Sequence, residues 1–296
     1  MKSNHVIKKI IKLYLRQVQR LPSWYRIPFF QKCFFFSIEG YWPNISKPTK
    51  IKEVIFINRI NTNEEFSKYI NKFEVKNIID KINKEENINI EYAELMQIVN
   101  TPMEINFDEI SESCFIKGTH GCGMNLLYQP RITNKADIIS EATKWINTDY
   151  YKLHGEMNYL GVEKKILVEK FLIADEELSI DDIKVHCFRG NPSIIQVLRD
   201  VDGILKRKTY DINWIEKQWF KNETLDINLD SLPKDKIINY SRILSKNFDY
   251  VRIDFFLIGP QLYFAEFTFT PAGGYIPLLN TDVDKELYNI YKETCK

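Results

Sequence analysis

The chain has 296 residues, with 41 Lys and Arg against 40 Asp and Glu, 44% apolar residues and a net charge of +1. This is the composition of an ordinary soluble globular protein, long enough for one large or two to three small domains, and it excludes the electrostatic footprint of a nucleic-acid binder. Its five cysteines (Cys33, Cys114, Cys122, Cys187 and Cys295) are scattered and form no Cys-x-x-Cys, which excludes a disulfide framework or a zinc site and suits a reducing cytoplasm.

No segment has the apolar length needed to span a bilayer. At the start, Lys2, Lys8, Lys9, Lys12, Arg16 and Arg20 punctuate the apolar set Val6, Ile7, Ile10, Ile11, Leu13, Tyr14 and Leu15. A signal peptide needs an uninterrupted apolar run, so that reading fails. A basic amphipathic helix packed on the domain is preferred, together with Phe29, Phe30 and Phe34 to Phe36. Peripheral contact of residues 1–36 with an anionic inner membrane is the alternative. The text to about Ile110 is lysine-rich and helix-like, and Glu65 to Ile82 carries a helical period with one interruption. From Ser113 the character changes. A strand at Cys114 to Lys117 runs into the glycine loop Gly118 to Gly123, followed by a helix over Ile138 to Ile146 and a strand over Lys165 to Leu172. Ile183 to Phe188 and Pro192 to Leu198 form a hairpin turning at Arg189-Gly190-Asn191, and Glu216 to Phe220 and Lys236 to Lys246 are helix candidates. Strands with helices interspersed imply an α+β protein.

The glycine loop fails two familiar phosphate motifs. A Walker A loop needs Lys-Ser/Thr after its last glycine, where Met124 and Asn125 stand; a dinucleotide fingerprint needs a third glycine, where Leu126 stands. What remains is Lys117 at a strand end and a loop whose glycines let backbone N–H groups turn toward phosphate oxygens.

The final hairpin, Tyr250 to Gly274, alternates strictly. Val251, Ile253 and Phe255 share one face, and Arg252 and Asp254 the other; Ala265, Phe267 and Phe269 alternate with Glu266, Thr268 and Thr270. An odd-length loop at Gly259-Pro260-Gln261 would set Asp254 opposite Glu266. Two carboxylates that close repel unless a cation lies between them. A Mg²⁺ ion fits, and so does a surface Arg–Asp–Glu ion-pair network; the spacing favours neither. Of the histidines, His186 reads as a satisfied core residue. His120 could touch phosphate or acceptor, and His154 and Glu156 could line an acceptor side. Arg199 could pair with an acidic substrate or with Asp200.

The succession of lysine-strand, glycine loop, Val-Glu-Lys-Phe-Leu strand, Arg-x-Asp and Glu-x-Thr resembles the TupA-like family of the ATP-grasp superfamily. The segments that carry the resemblance are FIKGTHGCGMN (115–125), HGEMNYLGVEKKILVEKFL (154–172), DDIKVHCFRGNPSIIQVLRD (181–200), YDINW (210–214) and the final hairpin with its FTFTPAGG ending. KPTKIKEVIFINRI (47–60) and KYINKFEVKNII (68–79) look like diverged versions of family segments. The resemblance implies an ATP-grasp fold: two α+β subdomains sandwiching ATP, preceded by a mainly helical N-terminal region. The expected divisions are 1–45, 46–110, 111–172 and 173–296.

It also implies residue roles. Lys117 and the loop of Gly118, Gly121 and Gly123 would hold ATP phosphates, and Glu169, Lys170, Phe171 and Leu172 would form the strand against which adenine lies. Glu176 or Glu177 would take the ribose hydroxyls. Lys184 and Arg252, with Lys117, would neutralise charge during phosphoryl transfer. Asp254 and Glu266 would hold two Mg²⁺ ions, with Thr268 at the place where many ATP-grasp enzymes carry a metal-binding Asn. The implied activity is ATP-dependent coupling of a carboxylate to an amine through an acylphosphate. The implied setting is cell-surface or capsular polysaccharide synthesis, joining a uronic acid to an amino acid or amino sugar, with no nucleic-acid partner. The alternatives are an ATP-dependent kinase and a nucleotide-sugar glycosyltransferase built on Asp200 and Asp202.

Overall fold

The computed structural model describes residues 28–61, 64–172, 180–221 and 232–294. The N-terminal basic segment therefore lies outside the described residues up to Ile27, as do Glu176 and Glu177. Helix α1 (Pro28–Glu39) is the first described element. Its Phe35 is fully buried against Phe56 and Tyr275, whereas Phe29 and Trp42 stack on each other in solvent.

Helices α2 (Ile51–Ile60), α3 (Glu64–Ile70) and α4 (Glu74–Glu86) follow. The interruption in the helical period falls at Asn71, whose side chain accepts the Phe73 and Glu74 N–H groups and starts a new helix. The helix-like reading to Ile110 fails beyond residue 90. Strands β1 (Glu91–Tyr92) and β2 (Leu95–Val99) lie there, fixed by partners distant in sequence.

Strands β3 (Cys114–Gly118), β4 (Asn125–Tyr128) and β5 (Ile166–Lys170) join β2 in an antiparallel sheet ordered β2-β5-β3-β4. Helix α5 (Lys135–Ile146), capped by Asn134, buries Ile138, Ala142 and Trp145 in the core that contains Cys114, Ile116, Ile166 and Val168. The short helix α6 (Tyr150–His154) precedes β5.

The second sheet is ordered β1-β10-β9-β6-β7-β8, from β6 (Ile180–Phe188), β7 (Asn191–Val201), β8 (Ile204–Tyr210), β9 (Tyr250–Ile258) and β10 (Gln261–Thr268). One face packs Ile183, Val185, Ile253 and Phe255 against α4 and against helix α7 (Lys234–Ser245). Helix α8 (Thr281–Glu293) closes a further core with α2 through Leu287, Ile51 and Ile55. The β6–β7 hairpin turns at Arg189 and Gly190, both left-handed, as the sequence suggests. The expected helix at Glu216 to Phe220 is absent: Glu216 bridges Tyr210 and Phe220 bridges Leu278, so sheet-edge pairing overrides local propensity.

The final hairpin forms with Asp254 opposite Glu266, by a different route from the expected odd loop. Gly259 and Pro260 make a two-residue turn, and a bulge between Phe264 and Glu266 supplies the extra residue that shifts the register. The bulge also moves Ala265 off the core face, which Phe264 takes instead.

Candidate active site

The two sheets face each other across a cavity of about 260 Å³. On the large-sheet side β9 supplies Arg252 and Asp254, two residues apart and hence on one face. Arg252 grips Asp254 with two parallel bonds, Nε to Oδ1 at 2.7 Å and Nη2 to Oδ2 at 2.6 Å. Lys184, the cross-strand partner of Asp254 on β6, donates to Asp254 Oδ2 at 3.1 Å and pairs with Asp182 Oδ2 at 2.6 Å. The Thr268 hydroxyl donates to Glu266 Oε1 at 3.0 Å and accepts from Arg252 Nη2 at 3.3 Å. Burial alone would raise the Asp254 carboxyl, but Arg252 and Lys184 outweigh it and hold the group below its usual range. Asp182, buried and close to Asp254, is pushed the other way.

Both readings of the hairpin thus meet in one place. The ion-pair network exists, but it lines a cavity, and Glu266 stands at its open edge with 48% of its side chain exposed. The donor set suits Mg²⁺: Asp254 and Glu266 offer hard oxygens, and Asp182 Oδ1 is buried without a hydrogen-bond partner. Among the described residues no three His, Cys, Asp or Glu side chains make a protein-only metal cage. That is the expected state for an ion that takes one or two carboxylates and completes its shell with phosphate oxygens.

The opposite wall belongs to the small sheet. Glu169 on β5 is bracketed by Lys117 Nζ on β3 at 2.5 Å and Lys76 Nζ on α4 at 2.7 Å. Burial pushes the Glu169 carboxyl up, yet the two lysines prevail and keep it low. Lys72 donates to the carbonyls of Gly118 at 3.1 Å and Gly121 at 2.6 Å, tying the glycine loop to the α3–α4 turn. Lys72 and Lys76 are additions that residue-type reasoning missed. Their signal was there, two lysines four apart within the 68–79 segment. Around the cavity, Lys72, Lys76, Lys117, Lys184 and Arg252 stand against Glu169, Asp182, Asp254 and Glu266, leaving positive charge in excess. Val75, Tyr92, Leu172, Phe256 and Phe264 supply apolar surface beside them.

The loop itself is half anchored. Thr119 is fully buried and bonded to the Glu163 carbonyl, and His120 is buried with Nε2 on the Trp145 carbonyl at 2.8 Å. His120 is therefore neither an exposed loop histidine nor part of the cavity lining; Cys122 and Gly123 line the cavity. A Cβ on Gly121 would lie 2.8 Å from the ring of Tyr150, which is packed in the small-sheet core. We expect Gly121→Ala to destabilise the protein by about 1–3 kcal/mol through overpacking, read as a lowered urea midpoint.

A family model for TupA-like ATP-grasp proteins matches residues 52–292. The chain belongs to the TupA-like ATP-grasp family. Its fold is accordingly ATP-grasp, with the cavity between the two α+β layers. No curated protein sequence matches the chain. Solved structures similar to it include D-alanine–D-alanine ligase from Bacillus anthracis complexed with ATP, at 18% identity and TM-score 0.39 over 76% of this chain and 67% of that one. ATP-grasp ligase PsnB with a minimal precursor matches at 10% identity and TM-score 0.38, over 70% of this chain and 54% of that one. N5-carboxyaminoimidazole synthase from Aspergillus clavatus matches at 16% and 0.39, over 68% and 44%. The chain spans about half to two thirds of the length of those proteins.

Within this ATP-grasp protein the remaining candidates sort cleanly. Lys170 points to solvent and its N–H is bonded to the Glu94 carbonyl, while the Phe171 N–H goes to Ser113; Leu172 lines the cavity. His186 is buried between the Tyr250 hydroxyl and Gln196, and burial drives its pKa down to about 3, so it is a neutral core histidine. Arg199 pairs with Asp181 through two bonds, at 2.5 and 2.7 Å, and not with Asp200. Asp200 Oδ1 instead accepts the Gly203 N–H at 2.7 Å, and Asp202 is left-handed, so this Asp-x-Asp shapes the β7–β8 turn. Among the described residues no helix is long and apolar enough to cross a membrane.

Proposed function

We propose that the protein is an ATP-dependent carboxylate–amine ligase acting through an acylphosphate, joining a uronic acid carboxylate to an amino acid or amino sugar during cell-surface polysaccharide synthesis. One observation carries the reading. Five cations and four carboxylates from both sheets and from the α3–α4 region converge around one cavity beside an apolar wall, the arrangement a magnesium polyphosphate and an adenine ring require. Asp254 and Glu266 would hold two Mg²⁺ ions, with the Thr268 hydroxyl oriented by Arg252 beside them; bound Mg²⁺ supplies charge neutralisation for the phosphates. Lys117 and Lys72 fix the loop side of the phosphates, and Lys184 and Arg252 face the charge that develops during transfer. Leu172, Phe256 and Phe264 form the slot for adenine. Closing the Cys122–Gly123 tip over the phosphates keeps water from the acylphosphate.

The test is a thermal-shift screen with Mg²⁺, comparing ATP, ADP and UDP-sugars. ATP and ADP are expected to stabilise the protein, by about 2.7 kcal/mol at a hundred times Kd. Phosphate release should then depend on both a carboxylate and an amine; ADP formed without an amine, with the phosphoryl group retained on the acceptor and no phosphate released, would mark a kinase. Stabilisation by a UDP-sugar and not by ATP would sink the reading.

A further inference from the structure

A second cavity, of about 380 Å³, shares none of its lining residues with the first. Its position is set by two contacts. Tyr150, one of its walls, is the ring that Gly121 of the glycine loop packs against. Glu156 accepts a hydrogen bond from Thr270, two residues beyond Thr268 on the strand that carries Glu266. Whatever occupies it lies across the loop from the phosphate side.

The chemistry of its lining is unusual. Arg59 is 5% exposed, yet its guanidinium bonds the carbonyls of Gly273 and His154 and, more weakly, the Gln31 amide oxygen; none of these is an anion. Glu156 is also 5% exposed, and its partners are the hydroxyls of Thr270 and Tyr150; neither is a cation. The two charges do not pair with each other, but they are close. A methyl on Gly273 would sit 3.4 Å from Arg59 Nη1 and 3.7 Å from Glu156 Oε1. A buried charge solvated only by neutral dipoles is costly, and one cavity here holds one of each sign. Ala272, also in the lining, is held left-handed with φ 52° beside Gly273 at φ 64°. Strain of that kind, in a residue with a side chain, clusters at ligand clamps. Phe34, His154 and Tyr275 supply apolar and aromatic wall, and the volume is that of a small-ligand pocket.

We infer that this cavity binds a free amino acid, its carboxylate on Arg59 and its ammonium on Glu156. A zwitterion supplies both missing charges at once, at a separation its own backbone provides. Resting on the ligase reading above, this makes an amino acid, and not an amino sugar, the amine-bearing substrate.

The experiment is calorimetric titration of the full chain with each of the twenty amino acids, then with the N-acetyl and carboxamide forms of the best binder. We expect at least one amino acid with Kd between about 1 μM and 1 mM, and each cap to weaken it at least about tenfold. No binding up to about 10 mM, or capped forms binding as tightly as the free one, overturns the inference. Location is tested by Glu156→Gln, in which N-acetylation is expected to cost less than about twofold. If that variant does not fold, Gly273→Ala, which crowds the gap between the charges, is expected to abolish binding. An undiminished N-acetyl penalty in folded Glu156→Gln, or undiminished binding by Gly273→Ala, also overturns it. ATP titrated into the same sample reports separately on the nucleotide site. ATP binding without any amino acid binding removes this inference alone; amino acid binding without ATP binding removes the ligase reading and leaves the zwitterion site.

Discussion

Glu266→Gln is expected to lower Mg²⁺-dependent ATP turnover at least about a hundredfold and leave the melting temperature within about 2 °C of the parent, whereas Asp254→Asn is expected to cost both. The two carboxylates face each other in register, yet their surroundings differ. Glu266 has 48% of its side chain exposed and meets Arg252 only at 4.0 Å, so losing its charge disturbs little of the resting fold. Asp254 is 2% exposed and is gripped by Arg252 and Lys184. Removing its charge strands Arg252 in a buried site and leaves Lys184 with Asp182 alone, which costs about 3–5 kcal/mol. That predicts a fall in melting temperature of roughly 5–8 °C for a chain of this size.

The pH dependence follows with a definite sign. Burial opposes ionisation of Asp254, but Arg252 and Lys184 prevail, so its folded pKa lies below that of the unfolded chain. Its stabilising contribution is therefore complete above the unfolded value of about 4 and is lost as pH falls through the lower folded value. Urea midpoints of the parent should decline in that acid window, and those of Asp254→Asn should decline less. Full ATP turnover by either variant would remove the residue it replaces from the metal site. A parent and Asp254→Asn with parallel acid limbs would remove the linkage argument while leaving the kinetic one intact.

How much of this was legible beforehand depended on range. The Arg252–Asp254 and Glu266–Thr268 pairs were readable because strand alternation is local and places i and i+2 on one face. Their mutual register was readable in outcome but not in cause: nothing in Phe264-Ala265-Glu266 announces a bulge, and the bulge exchanges the faces of Phe264 and Ala265. Strands at Glu91–Tyr92 and Leu95–Val99 were hidden because they are short and follow a helical, lysine-rich stretch, and among the described residues they pair only with β10 and β5. Lys72 and Lys76 looked like two lysines on a lysine-rich helix surface. Only the meeting of α4 with β5 and the glycine loop turns them inward, which no periodicity reports. Conversely Asp200-Val201-Asp202 looked chemical and proves to be turn chemistry, as Asp-rich turns often are.

The lysine pair leads to the second large effect. Glu169→Gln is expected to destabilise the protein by about 2–4 kcal/mol, less than for a fully sealed pair because Lys117 retains contact with water. The cause is specific: Glu169 alone offsets Lys76 and Lys117, at 2.7 and 2.5 Å. Lys76 sits in a buried position where burial already works against its charge. Replacing Lys76 by Met together with Glu169 by Leu should recover part of the loss, since it removes the more deeply buried of the two cations and leaves only Lys117, which keeps contact with water, without its partner. The same reasoning fixes what nucleotide should do. If Lys117 binds ATP phosphates, a phosphate in the Glu169→Gln variant supplies the missing negative charge. Saturating ATP should then raise the melting temperature of Glu169→Gln by more than it raises that of the parent. In the double variant, where nothing is stranded but Lys117, the gain should fall between the two. A smaller ATP shift in Glu169→Gln than in the parent would mean that Glu169 and Lys117 form a structural clamp, with the phosphates held by Lys72, Lys184 and Arg252 instead.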